Sequence, residues 1–296
     1  MDFIDAHHHL WDLGAVDYVW LKQIGAPKPF GDPTPIQRDY LVDEFRRDTA
    51  GSNLVGSVHV QCDAALADPV AETAWLSGVA DAHRLPSAIV GFVDLSSDAA
   101  WETLARHRAF PRFRGVRQIV GRVPDRPEIS FTDRDLMAEP TWRRNFARLA
   151  EHGLSFDLQL YPEQMAAAAE LLAAHADVPV VIDHAGSPYD QTPAGLDAWA
   201  AGLARLAALR NVHIKVSGLG MYDRAWDATR SRAIFETILE LFGTGRTMFG
   251  SNFPVDSLMR PYGFVVDQFR AWAAPLPPAG HAALLADTAR RFYRLD

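Results

Sequence analysis

A chain of 296 residues with 48% hydrophobic content can bury a large core, and α/β barrels of roughly 250 residues fold as one unit, so one domain over 1–296 is expected. The 29 Lys+Arg against 37 Asp+Glu leave a net charge of -8, which argues against nucleic acid as a partner and for a small-molecule substrate. One cysteine, Cys62, excludes an internal disulfide, and neither a cleavable leader nor an apolar run of roughly 18 residues is visible, so a cytoplasmic protein without a membrane partner is expected, with self-association left open.

Short β-branched or aromatic runs recur between longer amphipathic stretches, the mark of strands alternating with helices. The first run, Phe3 to His7, leads into a long connection over 10–38 that carries Trp11, Tyr18, Trp20, Pro27, Pro29, Pro33 and Pro35. A connection of that length with Trp11, Tyr18 and Trp20 among its residues reads as an ordered lid. Strands follow at Leu54 to Val60, Ala88 to Val93, Phe113 to Arg117 and Ser155 to Leu158, with Trp142, Phe146 and Leu149 at helical spacing before the last of these. The Ala-rich stretch from Met165 to Ala174 reads as an outer helix. The remaining strands are Pro179 to His184, Val212 to Val216 and Thr247 to Ser251, and Ile234, Ile238 and Leu241 share a helix face before the last one. Eight alternations with near-continuous apolar strands predict an α/β fold, a single (β/α)8 TIM-type barrel. An open doubly wound sheet is the alternative, and the lack of Gly-x-Gly-x-x-Gly at any strand-to-helix turn counts against it.

In such a barrel the carboxyl ends of the strands build the site. Period-two alternation places Asp5, His7 and His9 on one face of the first strand and Ala6 and His8 on the other. Neutral imidazoles two residues apart can meet one Zn²⁺, with His184 at the sixth strand end as third ligand; the alternatives are a polar strand end or a carbonyl-polarising set without metal. Asp183 then alternates outward, as support for the turn. Arg117 ends the fourth strand with a fork suited to a carboxylate or a polarised carbonyl oxygen. Lys215, Ser217 and Gln61 could add substrate contacts or serve as internal pairs, and Trp11 and Trp20 could pack over a substrate. Asn252, after the eighth strand, can orient a water but cannot accept a proton in the useful pH range. Asp256 either reaches over the mouth as a base or caps the next helix.

The ordered set Ile4-Asp5-Ala6-His7-His8-His9-Leu10-Trp11-Asp12, Gly115-Val116-Arg117-Gln118, Asp157-Leu158, Ile182-Asp183-His184-Ala185-Gly186, Lys215-Val216-Ser217-Gly218-Leu219 and Phe249-Gly250-Ser251-Asn252-Phe253-Pro254-Val255 resembles the amidohydrolase-2 family from end to end. Within it the similarity is to the lactonase branch of fuconolactonases, rhamnonolactonases and 2-pyrone-4,6-dicarboxylate lactonase. The resemblance implies a barrel hydrolase that opens a lactone of a sugar acid or a carboxylated ring, with His7, His9 and His184 as site histidines and Arg117 binding substrate. It implies no obligatory metal, with a single Zn²⁺ compatible.

The chain departs from that pattern at one point. Where the family motif reads Gly-Ser-Asp-Trp-Pro, this chain has Asn252 and Phe253, and the aspartate that takes the proton from water is replaced. Three readings follow: a bound Zn²⁺ that lowers the water pKa, a metal-free site in which Asp256 or a histidine is the base, or a small-molecule binding barrel that lost the reaction. A metal-dependent decarboxylase or amide hydrolase is the competing enzyme class.

Overall fold

The computed structural model describes residues 2–295. Its strands are β1 (Phe3–His8), β2 (Leu54–Val60), β3 (Ala88–Gly91), β4 (Phe113–Arg117), β5 (Ser155–Leu158), β6 (Val180–Ile182), β7 (Val212–Val216) and β8 (Thr247–Phe249). They form one sheet in sequence order with parallel neighbours, and helices occupy the connections. The sheet closes through the residues after β8: Asn252 N–H donates to the His7 carbonyl and His9 N–H to the Phe253 carbonyl, each at 2.7 Å. The architecture is therefore the (β/α)8 barrel that the alternation predicts. β3 ends at Gly91 and β8 at Phe249, short of the expected runs, and β1 continues to His8, because the chain beyond each sheet end turns to build the mouth.

The two faces of each strand bury different partners. Inward-facing Ile4, Ala6, Val58, Val60, Ala88, Val90, Val181 and Met248 form one cluster with Phe292, Tyr293 and Leu295 of the C-terminal segment, which fills the barrel beneath the site. Outward-facing Phe113, Val116, Phe156, Ile182, Ile214 and Phe249 pack under the helices, where Trp142, Phe146 and Leu149 are buried as their spacing predicts. On the helix Ala228–Phe242 the buried stripe is Ile234, Phe235, Ile238 and Phe242, while Leu241 lies at its half-buried edge. Each such side chain contributes about 1.5–3 kcal/mol when fully buried.

Simple alternation fails in β1. Ala6 faces the interior, so an unbroken strand would turn His7 outward. The register of β1 on β2 shifts between Asp5 and His8, and this irregularity brings His7 to the inside beside Lys215. Asp5 does not share the face of His7, contrary to the alternation read from the sequence. It accepts from Ser251 N–H at 2.9 Å and from the Tyr262 hydroxyl at 3.1 Å, and so fastens the chain after β8 to β1. His8 stacks on Phe45 with ring centroids 4.2 Å apart.

The connection over 10–38 is ordered against the barrel. Trp11 pairs with Tyr40 in an antiparallel bridge and donates its Nε1–H to the Arg38 carbonyl at 2.6 Å. The Asp63 carboxylate, just past β2, accepts the N–H groups of Val19 at 2.6 Å and Trp20 at 3.2 Å, capping the short helix Val19–Lys22. No helix among the described residues is long and apolar enough to cross a membrane.

Beneath this connection the helix Val70–His83 carries Glu72, 1% exposed, whose carboxylate accepts Cys62 N–H at 3.1 Å. Burial pushes the Glu72 pKa up to about 7. Between the ordinary carboxylate range and that value the unfolded chain releases a proton that the native state retains, so this group's contribution is present at low pH and lost as pH rises. Glu72→Gln should remove that loss. The unfolding free energy of the variant relative to wild type is expected to grow in the variant's favour by on the order of 3 kcal/mol from pH 4.5 to 8. Urea titrations across that range check it, and a difference that stays constant with pH would refute the linkage.

Candidate active site

At the centre of the barrel the strands bring together five charged or titratable side chains. Lys215 on β7, fully buried, places its Nζ 2.5 Å from Asp157 Oδ2 on β5 and 2.9 Å from Asp183 Oδ1 after β6. The Tyr293 hydroxyl donates to Asp157 Oδ2 at 2.7 Å, and Asp183 also accepts from His7 Nδ1 at 3.2 Å and Arg117 Nη1 at 3.5 Å. Burial opposes ionisation of Asp183, but the ammonium of Lys215 and the His7 contact outweigh it and hold its carboxyl well below the usual range. Asp157 sits on the other side of the balance, with burial pushing it up to about 6 against the pull of Lys215. Asp183 is therefore the firmly ionised partner.

This corrects the sequence expectation for Asp183. Val181 faces the interior, so Asp183, two residues on, does too. His184 follows with φ 51°, and the left-handed run through Ala185, Gly186 and Ser187 swings it to the same side, where alternation alone cannot place it. Asp157 was missed as a site element, although a lone acid inside an apolar strand demands a buried partner.

The predicted histidines converge, but not as one ligand set. His7 and His9 rings lie 5.1 Å apart and His7 and His184 rings 4.5 Å apart. Among the described residues, the groups whose ligand atoms all lie within 4.8 Å of one another are His7–Asp183–His184 and His9–His59–Cys62. In the second group His59 donates Nε2–H to the Leu10 carbonyl at 3.1 Å and burial pushes the Cys62 thiol pKa up, so it is committed to packing the end of β2. Burial also keeps the site imidazoles neutral: His184 is lowered to about 3, and His7 and His9 well below their ordinary value, with Lys215 and Arg117 adding to the effect at His7 and His9 respectively.

Hydrogen bonds assign the tautomers. His7 Nδ1 lies 3.2 Å from both Asp183 Oδ1 and Lys215 Nζ; with Nδ1–H directed to the carboxylate, a lone pair is left on Nε2, a buried atom without a hydrogen-bond partner among the described residues. His9 directs Nδ1–H to the Val60 carbonyl at 2.7 Å, again leaving the Nε2 lone pair. A ring nitrogen tied to a carboxylate or carbonyl with the other free is the arrangement that metal-ligating histidines adopt. His184 is set by Ser217, whose Oγ lies 3.0 Å from its Nδ1. Two glycines permit these approaches: a Cβ on Gly250 would lie 2.5 Å from His7 Cβ, and one on Gly218, at φ 62°, would lie 2.5 Å from His184 Nδ1.

Asn252 occupies the point where barrel closure meets the site. Its φ of 57° suits asparagine better than most residues. Its Nδ2 donates to Asp256 Oδ1 at 3.0 Å, which turns Oδ1 toward His9 Nε2 at 3.3 Å. Asp256 neither lines the cavity nor caps the following helix, whose N-cap is Pro261, through its side chain. It is fully buried behind Asn252, burial pushes it up to about 7, and it acts as a positioning residue.

Above this floor opens a cavity of about 580 Å³ lined by His9, Trp11, Trp20, Arg117, His184 and Asn252 among the predicted residues. Gln61, Lys215, Ser217, Asp256 and His7 do not line it. Gln61 instead offers its backbone carbonyl to Arg117 Nη2, and Arg117 Nη1 also reaches Gln159 Oε1 at 3.3 Å. Gln159, Lys28, Phe30, Phe131 and Met221 line the cavity without having been singled out in the sequence.

The amidohydrolase family model matches residues 4–295. The chain belongs to the amidohydrolase family. Among relatives of this amidohydrolase, the uncharacterized protein y4mH of Sinorhizobium fredii is 37% identical over 292 residues, covering 99% of this chain and 98% of that one. The L-fucono-1,5-lactonase of Burkholderia multivorans is 31% identical over 305 residues, covering 99% and 96%. The crystal structure of an amidohydrolase from Burkholderia multivorans with bound zinc superposes with a TM-score of 0.84 at 29% identity over the full length of both chains.

The Lys215 cluster supports the floor of this amidohydrolase electrostatically. Lys215→Met leaves Asp183 and Asp157 buried without their cation and should lower the unfolding free energy by about 3–5 kcal/mol. Chemical denaturation measures it, and a loss below about 1 kcal/mol would mean that Arg117 and His7 suffice to hold Asp183.

Proposed function

We propose that this amidohydrolase hydrolyses a lactone. The observation that carries the reading is the pair of acceptors His9 Nε2 and Asn252 Oδ1, 3.3 Å apart on the cavity floor next to Arg117. A water donating to His9 Nε2 lies within reach of Asn252 Oδ1 as well, and Arg117 supplies cationic donors for the oxygen of a nearby carbonyl. The resemblance to a lactonase over nearly the full chain supports the same reading.

The steps balance on these residues. The water held between His9 and Asn252 attacks the carbonyl carbon, its proton passes to His9 Nε2, and the carbonyl oxygen takes the negative charge beside Arg117. Collapse re-forms the carbonyl and breaks the ring C–O bond, and the departing alkoxide takes the proton back from His9. The product is a hydroxy acid. Asn252 orients the water and does not exchange a proton, which is how the site tolerates an amide at this position.

The donor chemistry also fits a divalent cation: His7 Nε2 is buried, carries a lone pair and belongs to one set with Asp183 and His184. Those three side chains would hold the ion, Zn²⁺ being the natural choice for imidazole ligands, and it would supply polarisation of a substrate oxygen. Titration with Zn²⁺ should raise the thermal unfolding midpoint of wild type and leave that of His7→Ala unmoved. An equal response of the two proteins would place any bound zinc elsewhere.

The function is tested with a pH-indicator assay over a panel of lactones. Acid release is expected from wild type, and Arg117→Ala should lower kcat/KM by about 10²–10³-fold, the cost of losing a donor to a developing oxyanion. Turnover of Arg117→Ala at the wild-type rate would refute the role given to that residue.

A further inference from the structure

We infer, resting on the lactone-opening reading above, that the substrate carries an apolar body, an aryl or branched alkyl group, in place of the hydroxyls of a sugar acid. The cavity lining is of two kinds. The strand ends contribute polar groups to its floor, His9, Arg117, His184 and Asn252. The connections after β1, β3, β4 and β7 contribute the apolar side chains Trp20, Phe30, Phe92, Ile119, Phe131 and Met221.

Asp63, Asp94, Gln118, Trp20 and Arg134 are engaged inside the protein, while Lys28, whose Nζ lies 5.8 Å from the Trp20 ring centroid, and Asp133 are the charged lining groups of the connections outside those pairs. The Asp63 carboxylate accepts from Val19, Trp20 and Ala65 N–H groups. Asp94 accepts from Ser96 at 2.6 Å and Gln118 at 2.8 Å, and the Gln118 carbonyl oxygen accepts from Leu95 N–H and Trp142 Nε1–H. Trp20 directs its indole N–H to the Cys62 carbonyl at 2.8 Å, and Arg134 forks onto Glu139 at 2.9 and 2.5 Å.

A polyol placed above the floor would set most of its hydroxyls against rings and against engaged donors and acceptors, with Lys28 and Asp133 the exceptions, and those hydroxyls would lose their hydrogen bonds to water without replacement. An apolar arm in the same place is removed from water at a gain. The cavity of about 580 Å³ leaves room for such an arm beyond a five- or six-membered lactone ring seated on the floor.

The test compares γ-phenyl-γ-butyrolactone with D-galactono-1,4-lactone, both five-membered rings with alcohol leaving groups, in the same pH-indicator assay. The expected result is a kcat/KM at least about tenfold higher for the phenyl compound, the scale on which a pocket discriminates by apolar contact. Phe131→Ala, at a half-buried wall position, should reduce that ratio by about fivefold. Equal rates, a preference for the galactonolactone, or a ratio untouched by Phe131→Ala would overturn the inference. If neither lactone is opened, the lactonase reading fails by itself, and calorimetry with 4-phenylbutanoate against D-galactonate decides the substrate class. Tighter binding of 4-phenylbutanoate would sustain the apolar body, and equal or tighter binding of galactonate would refute it.

Discussion

The site depends on one buried ammonium. Lys215 stands at the barrel centre with Asp157 and Asp183 at 2.5 and 2.9 Å, and no solvent shares the load. Each charge alone would be costly to bury, so the three strands that carry them are committed to a common geometry. Asp183 then has a fixed place and charge, which decides the His7 tautomer and draws in Arg117. The cavity floor is in this sense the outer rim of an ion cluster whose centre, Lys215 with Asp157 and Asp183, does not line the cavity.

Barrel closure supplies the second constraint. The last hydrogen bonds of the sheet are made by Asn252 and Phe253 on one side and His7 and His9 on the other, so the seam and the reacting groups are the same residues. Asp5 reinforces the seam from the outer face. Asn252 therefore has two tasks, and the backbone task, a left-handed residue at a sheet junction, is one that aspartate and asparagine perform alike. Exchange of the acid for the amide leaves the seam intact and alters only the chemistry at the mouth.

The fold was legible because its signal is repetitive: eight apolar runs at helix-spaced intervals leave little choice of architecture. The convergence of His9, Arg117, His184 and Asn252 was legible for a similar reason, since each lies at or within three residues past the carboxyl end of a strand. What alternation could not show were the places where it breaks. The register shift in β1 put Asp5 and His7 on different faces, and the positive φ of His184 let it join Asp183 inside. Asp157 and Lys215 as a pair, and Asp256 as a buried support for Asn252, depend on contacts between distant strands and loops, which a single sequence does not encode in any local pattern. The cavity walls were hidden for the same reason, because Phe30, Phe131 and Met221 sit in connections that share no period.

The amide of Asn252 and the neutrality of the histidines belong together. A carboxylate beside His9 would favour the imidazolium, whereas the amide does not, and Arg117 nearby disfavours it further. His9 thus keeps a free lone pair over the working pH range, at the cost of low basicity. A weak base is adequate when the oxyanion it helps to form is met by a fixed guanidinium in a site sheltered from water. In the proposed lactone opening the proton need only be lent, since the departing alkoxide is far more basic than the imidazole and recovers it within the same turnover. The chemistry is placed in the preorganised charge of the floor, and the amide's part is to hold the water where that charge can act.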